Sequence, residues 1–214
     1  MKTLKICILL FLTAGMANAQ SSAGTPVALT DTFQNVLDLA RMSFTMPKNA
    51  IPVPVEKNRQ MHYEYAVTFK DQPFEVRYAV SPMGYSVAEA YGGGQGITPR
   101  PIGPTDNNVM AKAIAFAVAT NVGGGVADPN IKTGYFPAEA VKKEFNADWG
   151  GTTMVEIKNN SFGTGYKYCI MTTLHKNDVA SAYVFYLSDT KENVIKLMTD
   201  LIMKSGSFYA LKFK

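Results

Sequence analysis

The sequence predicts an α/β (α+β) domain in which one antiparallel sheet is sandwiched between helices. Three observations predict it. Met61–Lys70 and Phe74–Val80 alternate apolar and polar residues with the period of two that a half-buried strand requires. The last third, Thr152 to Phe213, reads strand, strand, strand, helix, strand. Before and between these runs lie stretches with helical apolar spacing, which gives the sheet helices to cover it.

The first helix is expected from Thr30 or Asp31, either of which can cap it. Phe33, Val36, Leu37 and Ala40 recur at i, i+3, i+4 and i+7, and the helix should end near Ser43. Ser43-Phe44-Thr45-Met46 then reads as a short strand closed by Pro47. Pro47, Pro52 and Pro54 make 48–55 an extended, non-helical connection.

In Met61–Lys70 one face carries Met61, Tyr63, Tyr65, Val67 and Phe69, and the other His62, Glu64, Ala66, Thr68 and Lys70. With Asp71-Gln72 as the turn, Phe69 faces Phe74, Val67 faces Val76, Tyr65 faces Tyr78 and Tyr63 faces Val80. Such cross-strand pairs stabilise a hairpin by roughly 0.2–1 kcal/mol each. A one-residue slip would set every one of them against a polar residue, so the register is well specified. The second face reads as solvated and carries a diagonal Glu64–Arg77 pair. This hairpin is therefore expected near an edge or under a thin cover.

Met83–Pro104 breaks the pattern with Tyr91-Gly92-Gly93-Gly94-Gln95-Gly96, then Pro99, Pro101, Gly103 and Pro104. It reads as a long excursion with little intrinsic order. Asn107–Asn121 reads as a helix capped by Asp106. Its apolar residues Val109, Met110, Ala113, Ile114, Phe116, Ala117 and Val118 wrap much of the circumference, and Lys112 is its one charge, so it is expected largely buried. Another helix has Pro137 in its first turn and Val141 and Phe145 on one face, and is expected to stop at Trp149-Gly150-Gly151.

The C-terminal strands are expected over Thr152–Lys158, Gly165–His175 and Asp178–Ser188. With Lys176-Asn177 as the turn, Tyr168 faces Phe185, Ile170 faces Tyr183, Cys169 faces Val184 and Met171 faces Ala182. Both faces are mostly apolar, which places these strands mid-sheet under cover on both sides. Asp189-Thr190-Lys191-Glu192 resembles a capping box for a helix over Thr190–Lys204, and Phe208–Phe213 returns as a last strand.

Met1–Lys5 is basic, Ile6–Leu12 is apolar and Ala17-Asn18-Ala19 is a small-x-small site. These are the parts of a secretory signal peptide cleaved before Gln20. The apolar run is too short for the about 20 residues that span a bilayer, so no membrane span is expected. The organisation reads as signal peptide 1–19, flexible lead-in 20–29 and a single domain over 30–214. Cleavage removes Lys2 and Lys5, so the net charge falls by two from +4. A value that close to zero argues against bulk attraction to nucleic acid or an anionic membrane. It also removes Cys7 and leaves Cys169 as the one cysteine, which excludes an intramolecular disulfide and reads as a buried small hydrophobe.

Chemistry-bearing patterns are few. His62 and Glu64 share a strand face that Arg77 can reach, which suits a small polar site as well as a solvated face. The chain has two histidines, while zinc takes three or four ligands, and no metal or cofactor is expected. His175 opposite Asp178 at a hairpin tip resembles part of a triad without a serine motif. The glycine run lacks the Gly-Lys-Ser/Thr ending of a phosphate loop. It reads as a surface loop with Tyr91, Gln95 and Arg100 as contact groups. The candidate binding surface is thus His62, Glu64, Arg77, Tyr91, Gln95 and Arg100, with no catalytic residue assigned. Trp149 reads as a core plug.

The element order, with Ser43-Phe44-Thr45-Met46-Pro47 at one end and Phe208-Tyr209-Ala210-Leu211-Lys212-Phe213 at the other, resembles the PsbP-like fold shared with the Mog-type Ran-binding proteins, over roughly 43–213. The leader is similar to those of exported proteins of Gram-negative bacteria such as the Bacteroidetes. Members of the family act in photosystem assembly and small-GTPase binding, so the resemblance implies a scaffold or binding domain that is not an enzyme. Fold alone does not fix function. The expected function is a secreted or periplasmic binding or accessory protein whose partner is a protein or a small molecule. The alternatives are an enzyme, such as a hydrolase, on the polar face of the first hairpin, and a small-ligand carrier near Trp149 and Tyr166.

Overall fold

A computed structural model describes residues 29–70, 72–84, 107–126, 128, 131–158, 160–197 and 207–214. The leader, Asp106 and the glycine-proline excursion with Tyr91, Gln95 and Arg100 lie outside the described residues. The strands are β1 (Met42–Phe44), β2 (Ala50–Val53), β3 (Tyr65–Phe69), β4 (Gln72–Pro82), β5 (Thr133–Tyr135), β6 (Trp149–Glu156), β7 (Tyr168–Lys176), β8 (Ala180–Ser188) and β9 (Leu211–Phe213). The helices are α1 (Asp31–Leu39), α2 (Asn107–Val122), α3 (Ala138–Phe145) and α4 (Lys191–Leu197).

Seven strands pair antiparallel in the order β2-β3-β4-β8-β7-β6-β5. β1 and β9 form a separate two-stranded ribbon, with Met42 opposite Phe213. The β7–β8 hairpin is central, as its doubly apolar character requires. β2 lies at an edge, where Pro52 costs no ladder bond with a further strand.

Each sheet face has its own core. One gathers Tyr65, Val67, Val76, Tyr78, Ile170, Leu174, Val184 and Tyr186 under Phe33, Val36 and Leu37 of α1, Val141 and Phe145 of α3, and Val194 of α4. The other gathers Ala66, Ala79, Cys169, Met171, Tyr183, Phe185 and Leu187 under Ala115, Ala119 and Val122 of α2. The sheet is therefore sandwiched between helices, as expected. Burial holds the Cys169 thiol protonated, pushing it up to about 12, which suits an inert core residue.

Local chemistry sets the element ends. Thr30 caps α1 by accepting a hydrogen bond from the Phe33 amide at 3.2 Å, and the helix ends at Leu39, four residues before Ser43. Arg41 follows with a left-handed φ of 51°, which turns the chain into β1. α3 ends on Asn146, also left-handed at φ 51°. Trp149-Gly150-Gly151 does not stop that helix but opens β6, because Gly151 lies against β5, where a Cβ would meet Thr133 Cγ2 at 2.9 Å. Thr190 caps α4 by accepting from the Asn193 amide at 3.1 Å.

Three expectations about packing are corrected. First, α2 is not largely buried. It rests on Ala111, Ala115, Ala119 and Val122, and Val109 and Met110 are 73% and 62% exposed, with Ile114 and Phe116 exposed beside them. Small side chains let α2 approach the sheet closely, which leaves the bulky ones outside.

Second, the β7–β8 turn is longer than expected. Asp178 takes a left-handed φ of 59°, and the Val179 amide donates to the Lys176 carbonyl at 3.1 Å. Relative to the expected register the strands slip by three residues, so Cys169 faces Leu187, Ile170 faces Tyr186 and His175 faces Ser181 rather than Asp178. An odd slip exchanges the face partners.

Third, the β3 alternation breaks at a bend at Glu64, so Tyr63 packs in the α2-side core while Tyr65 packs in the other. The β3–β4 pairing holds at Tyr65–Tyr78 and Val67–Val76, then a bulge places Phe69 opposite Gln72.

Candidate functional site

The face of the first hairpin that reads as solvated is buried at Glu64, Ala66, Arg77 and Ala79, while His62 and Lys70 at its ends are exposed. Arg77 is 1% exposed. Its guanidinium lies between two rings, 4.8 Å from the centroid of Tyr63 and 5.0 Å from that of Phe162. Nε donates to Glu75 Oε1 at 2.5 Å, Nη1 donates to the Phe162 carbonyl and Nη2 donates to Thr164 Oγ1 at 2.7 Å. Arg77 therefore pairs with Glu75, and the expected Glu64–Arg77 diagonal pair is replaced. The physical reason is Tyr63. The bend at Glu64 brings its ring onto the Arg77 side, where it closes the face from water.

Glu64 is spent on the backbone. Its Oε2 accepts the Val80 amide at 2.8 Å, while Oε1 lies 3.6 Å from Nε2 of the exposed His62. Partial burial lowers the basicity of His62. His62, Glu64 and Arg77 thus do not converge on a shared open site. Arg77 points inward to the 160–165 turn, and Glu64 repairs the ladder where β3 is interrupted.

That turn is tied down on all sides. Asn160 Oδ1 accepts the Phe162 and Gly163 amides at 3.0 and 3.2 Å, and its Nδ2 donates to the Val122 carbonyl at 2.7 Å. Ser161 Oγ donates to Gln60 Oε1 at 2.7 Å. Thr164 is held at φ 47°, and Gly163 has to be glycine because a Cβ would stand 2.7 Å from the Tyr166 carbonyl oxygen. Next to this turn is a cavity of about 340 Å³ lined by Glu156, Asn160, Gly165, Tyr166, Lys167 and Tyr168. Its size lies at the small end of the range for ligand pockets. Tyr166 keeps its phenol proton, raised first by burial and then by the Glu75 and Asp189 carboxylates.

At the opposite end of the α2-side face, Trp149, His175 and Ser181 stand side by side on β6, β7 and β8. His175 Nδ1 lies 2.9 Å from Ser181 Oγ. Burial lowers the His175 pKa, against the opposing pull of the Asn177 side chain and the Asp148 and Asp178 carboxylates. Asp148 itself is held below the ordinary carboxylate range. Burial works to raise it, but the Asn177 amide at 2.9 Å and the Lys142 amine at 3.3 Å outweigh that, with Lys176 adding to them. The His175–Ser181 pair was hidden in the sequence by the register slip, and no motif marks it. Among the described residues no group of three or more His, Cys, Asp or Glu is placed to hold a metal ion, and no helix is long and apolar enough to cross a membrane.

No protein-family model and no curated protein matches the chain. Among solved structures, the chain is similar to the solution structure of cyanobacterial PsbP from Synechocystis sp. PCC 6803, with a TM-score of 0.44 and 12% identity, covering 92% of this chain and 100% of that one. The likeness is a distant one, and the α+β assignment rests on the strand order and register described above.

Proposed function

We propose that the protein is an exported, non-enzymatic binding or accessory protein that docks a protein partner on α2. The observation that carries this reading is the outer face of α2, where Val109, Met110, Ile114 and Phe116 are exposed on a helix with a single charged residue, Lys112. Apolar side chains grouped in this way on a protein surface mark interaction sites. The internal use of Arg77 and Glu64 adds support, because the charges on which an enzyme at the first hairpin would depend are committed to holding the fold. The leader pattern at 1–19 supports export.

A photo-crosslinking residue placed at Met110 or Ile114 in the producing cell tests the docking face. The expected result is a discrete covalent adduct from both positions and none from Lys143, which is exposed on α3. Equal labelling from all three positions, or none, overturns the reading. Amino-terminal sequencing of the protein recovered from the cell tests export separately, with Gln20 as the expected first residue.

A further inference from the structure

The cavity of about 340 Å³ beside the 160–165 turn is a place where the fold leaves polar side chains unspent. It lies at one end of the sheet, where β6 runs out at Glu156 and β7 begins at Tyr168, and these two residues are direct partners across the strands. Tyr166 and Tyr168 are both half-buried in its lining. Tyr166 packs on the α2-side core and Tyr168 on the other, so the cavity spans the sheet end rather than one face. Within the neighbouring turn, Asn160 spends both ends of its amide on backbone groups. By contrast, the Glu156 carboxylate, the Lys167 amine and the Tyr166 and Tyr168 hydroxyls hold no hydrogen bond or ion pair among the described residues. Opposite charges thus line one cavity without neutralising each other.

The backbone of the lining is fixed. The Ile157 amide donates to the Lys167 carbonyl at 2.7 Å, the Lys167 amide donates to the Ser188 carbonyl at 3.2 Å, and the Tyr166 amide donates to the Gly163 carbonyl at 3.0 Å. At Gly165, also in the lining, a Cβ would meet no atom within 4 Å, so space is open there. A site whose backbone is set before anything enters loses less on binding.

The chemistry of the lining narrows the occupant. A carboxylate only accepts hydrogen bonds, an ammonium only donates them, and a phenol does both. The ligand therefore needs donors and acceptors side by side. An anion meets Glu156 and the Glu75 and Asp189 carboxylates that act at Tyr166. A cation meets Lys167 and the Arg77 guanidinium that acts at the same ring. Charge of either sign is opposed, and an uncharged ligand is not. The two phenol rings add apolar surface. A sugar ring combines these demands, with hydroxyls that donate and accept around its edge, a C–H face and no net charge. The cavity, at the small end of the range for ligand pockets, suits a molecule of that size.

We propose that Glu156, Tyr166, Lys167 and Tyr168 form a binding site for a neutral monosaccharide. The proposal does not depend on docking at α2.

Glucose, galactose, mannose and N-acetylglucosamine are titrated into the isotope-labelled protein, and the amide resonances of Gly165 and Lys167 are followed. The expected result is a saturable shift of both resonances with at least one of the four. The uronic acid of the sugar that binds is expected to bind at least tenfold more weakly, and its 2-amino counterpart at least threefold more weakly. Glu156→Gln and Lys167→Met, both at exposed positions, are each expected to weaken binding at least fivefold, whereas Lys143→Ala on α3 leaves it unchanged. Should a variant fail to fold, the comparison of sugars on the unaltered protein still decides. Resonances that none of the four sugars moves at tens of millimolar overturn the proposal. So does binding of the uronic acid or the amino sugar as tight as that of the neutral one.

Discussion

The two hairpins at the heart of the sheet hold their registers by different means. β3–β4 carries charge on one face and hydrocarbon on the other, and both are buried. A slip by one residue would drive Glu75 and Arg77 into the α1-side core, so the side chains themselves fix the pairing. β7–β8 presents Ile170, Leu174, Val184 and Tyr186 to one core and Cys169, Met171, Phe185 and Leu187 to the other. Either face could serve either core, and the turn at Asn177–Val179 sets the pairing instead. A sheet can thus be fixed by a buried charge in one place and by backbone geometry in another.

The strongest way to break this contrast is to remove the charge. Arg77→Leu leaves Glu75, the Phe162 carbonyl and Thr164 without their donor. It is expected to lose about 3–5 kcal/mol in urea unfolding, the range for breaking a buried ion pair. The double change Glu75→Leu with Arg77→Leu is expected to recover part of that loss. A double variant no more stable than the single one would mean that Glu75 is not the group left stranded.

In the second hairpin the corresponding test is the turn. Asp178→Pro cannot adopt φ 59° and is expected to cost more than about 1 kcal/mol, whereas Asp178→Gly should be close to neutral. If both are neutral, the turn does not set the register.

A smaller effect follows from His175, whose folded pKa lies below 6.5. The unfolded chain then binds more protons as pH falls through 6.5, so stability should decline on acidification through that value. His62, lowered in the same direction but exposed, adds little. Asp148 acts only around and below the ordinary aspartate value of 3.8, so the two windows separate. His175→Asn is expected to flatten the urea midpoint between pH 7.5 and 5; an unchanged slope would place its origin elsewhere.

The smallest expected effects come from two tyrosines of the first hairpin region. Tyr63→Phe loses the hydroxyl that accepts the Glu56 amide at 2.8 Å and should cost about 0.5–1.5 kcal/mol. Tyr78→Phe removes a buried hydroxyl without a partner among the described residues, and should be neutral or stabilising.

The same contrast explains what could be read from the chain alone. Alternation with one polar face made the Tyr65–Tyr78 and Val67–Val76 pairs legible, and the doubly apolar run placed β7–β8 mid-sheet. The register of β7–β8 was not legible, because a pattern apolar on both faces is indifferent to a slip of three residues. With the register went the His175–Ser181 pair, since His175 could be set beside Ser181 only once the turn was known. Arg77 reads in the sequence as part of an open polar face, whereas the structure buries it. Its burial depends on Tyr63 leaving the alternation and on Phe162 arriving from a turn some 85 residues later, and neither is a local property. α2 was overestimated as a core helix because total hydrophobicity does not say which residues face inward: Ala111, Ala115 and Ala119 do, while Ala113 and Ala117 are exposed.

The ribbon of β1 and β9 has a consequence for how the chain is made. Ser43 donates its hydroxyl to the Lys212 carbonyl across 169 residues of sequence, and the Lys214 amide donates to Arg41. A ribosome therefore delivers one half of this ribbon long before the other. Until Leu211 and Phe213 emerge, β1 lacks its pairing strand and Met42 lacks Phe213 opposite it. A chain interrupted a few residues early would keep nearly all of its sheet and yet stay open at that seam. Local openings of this kind are where proteases find their footing.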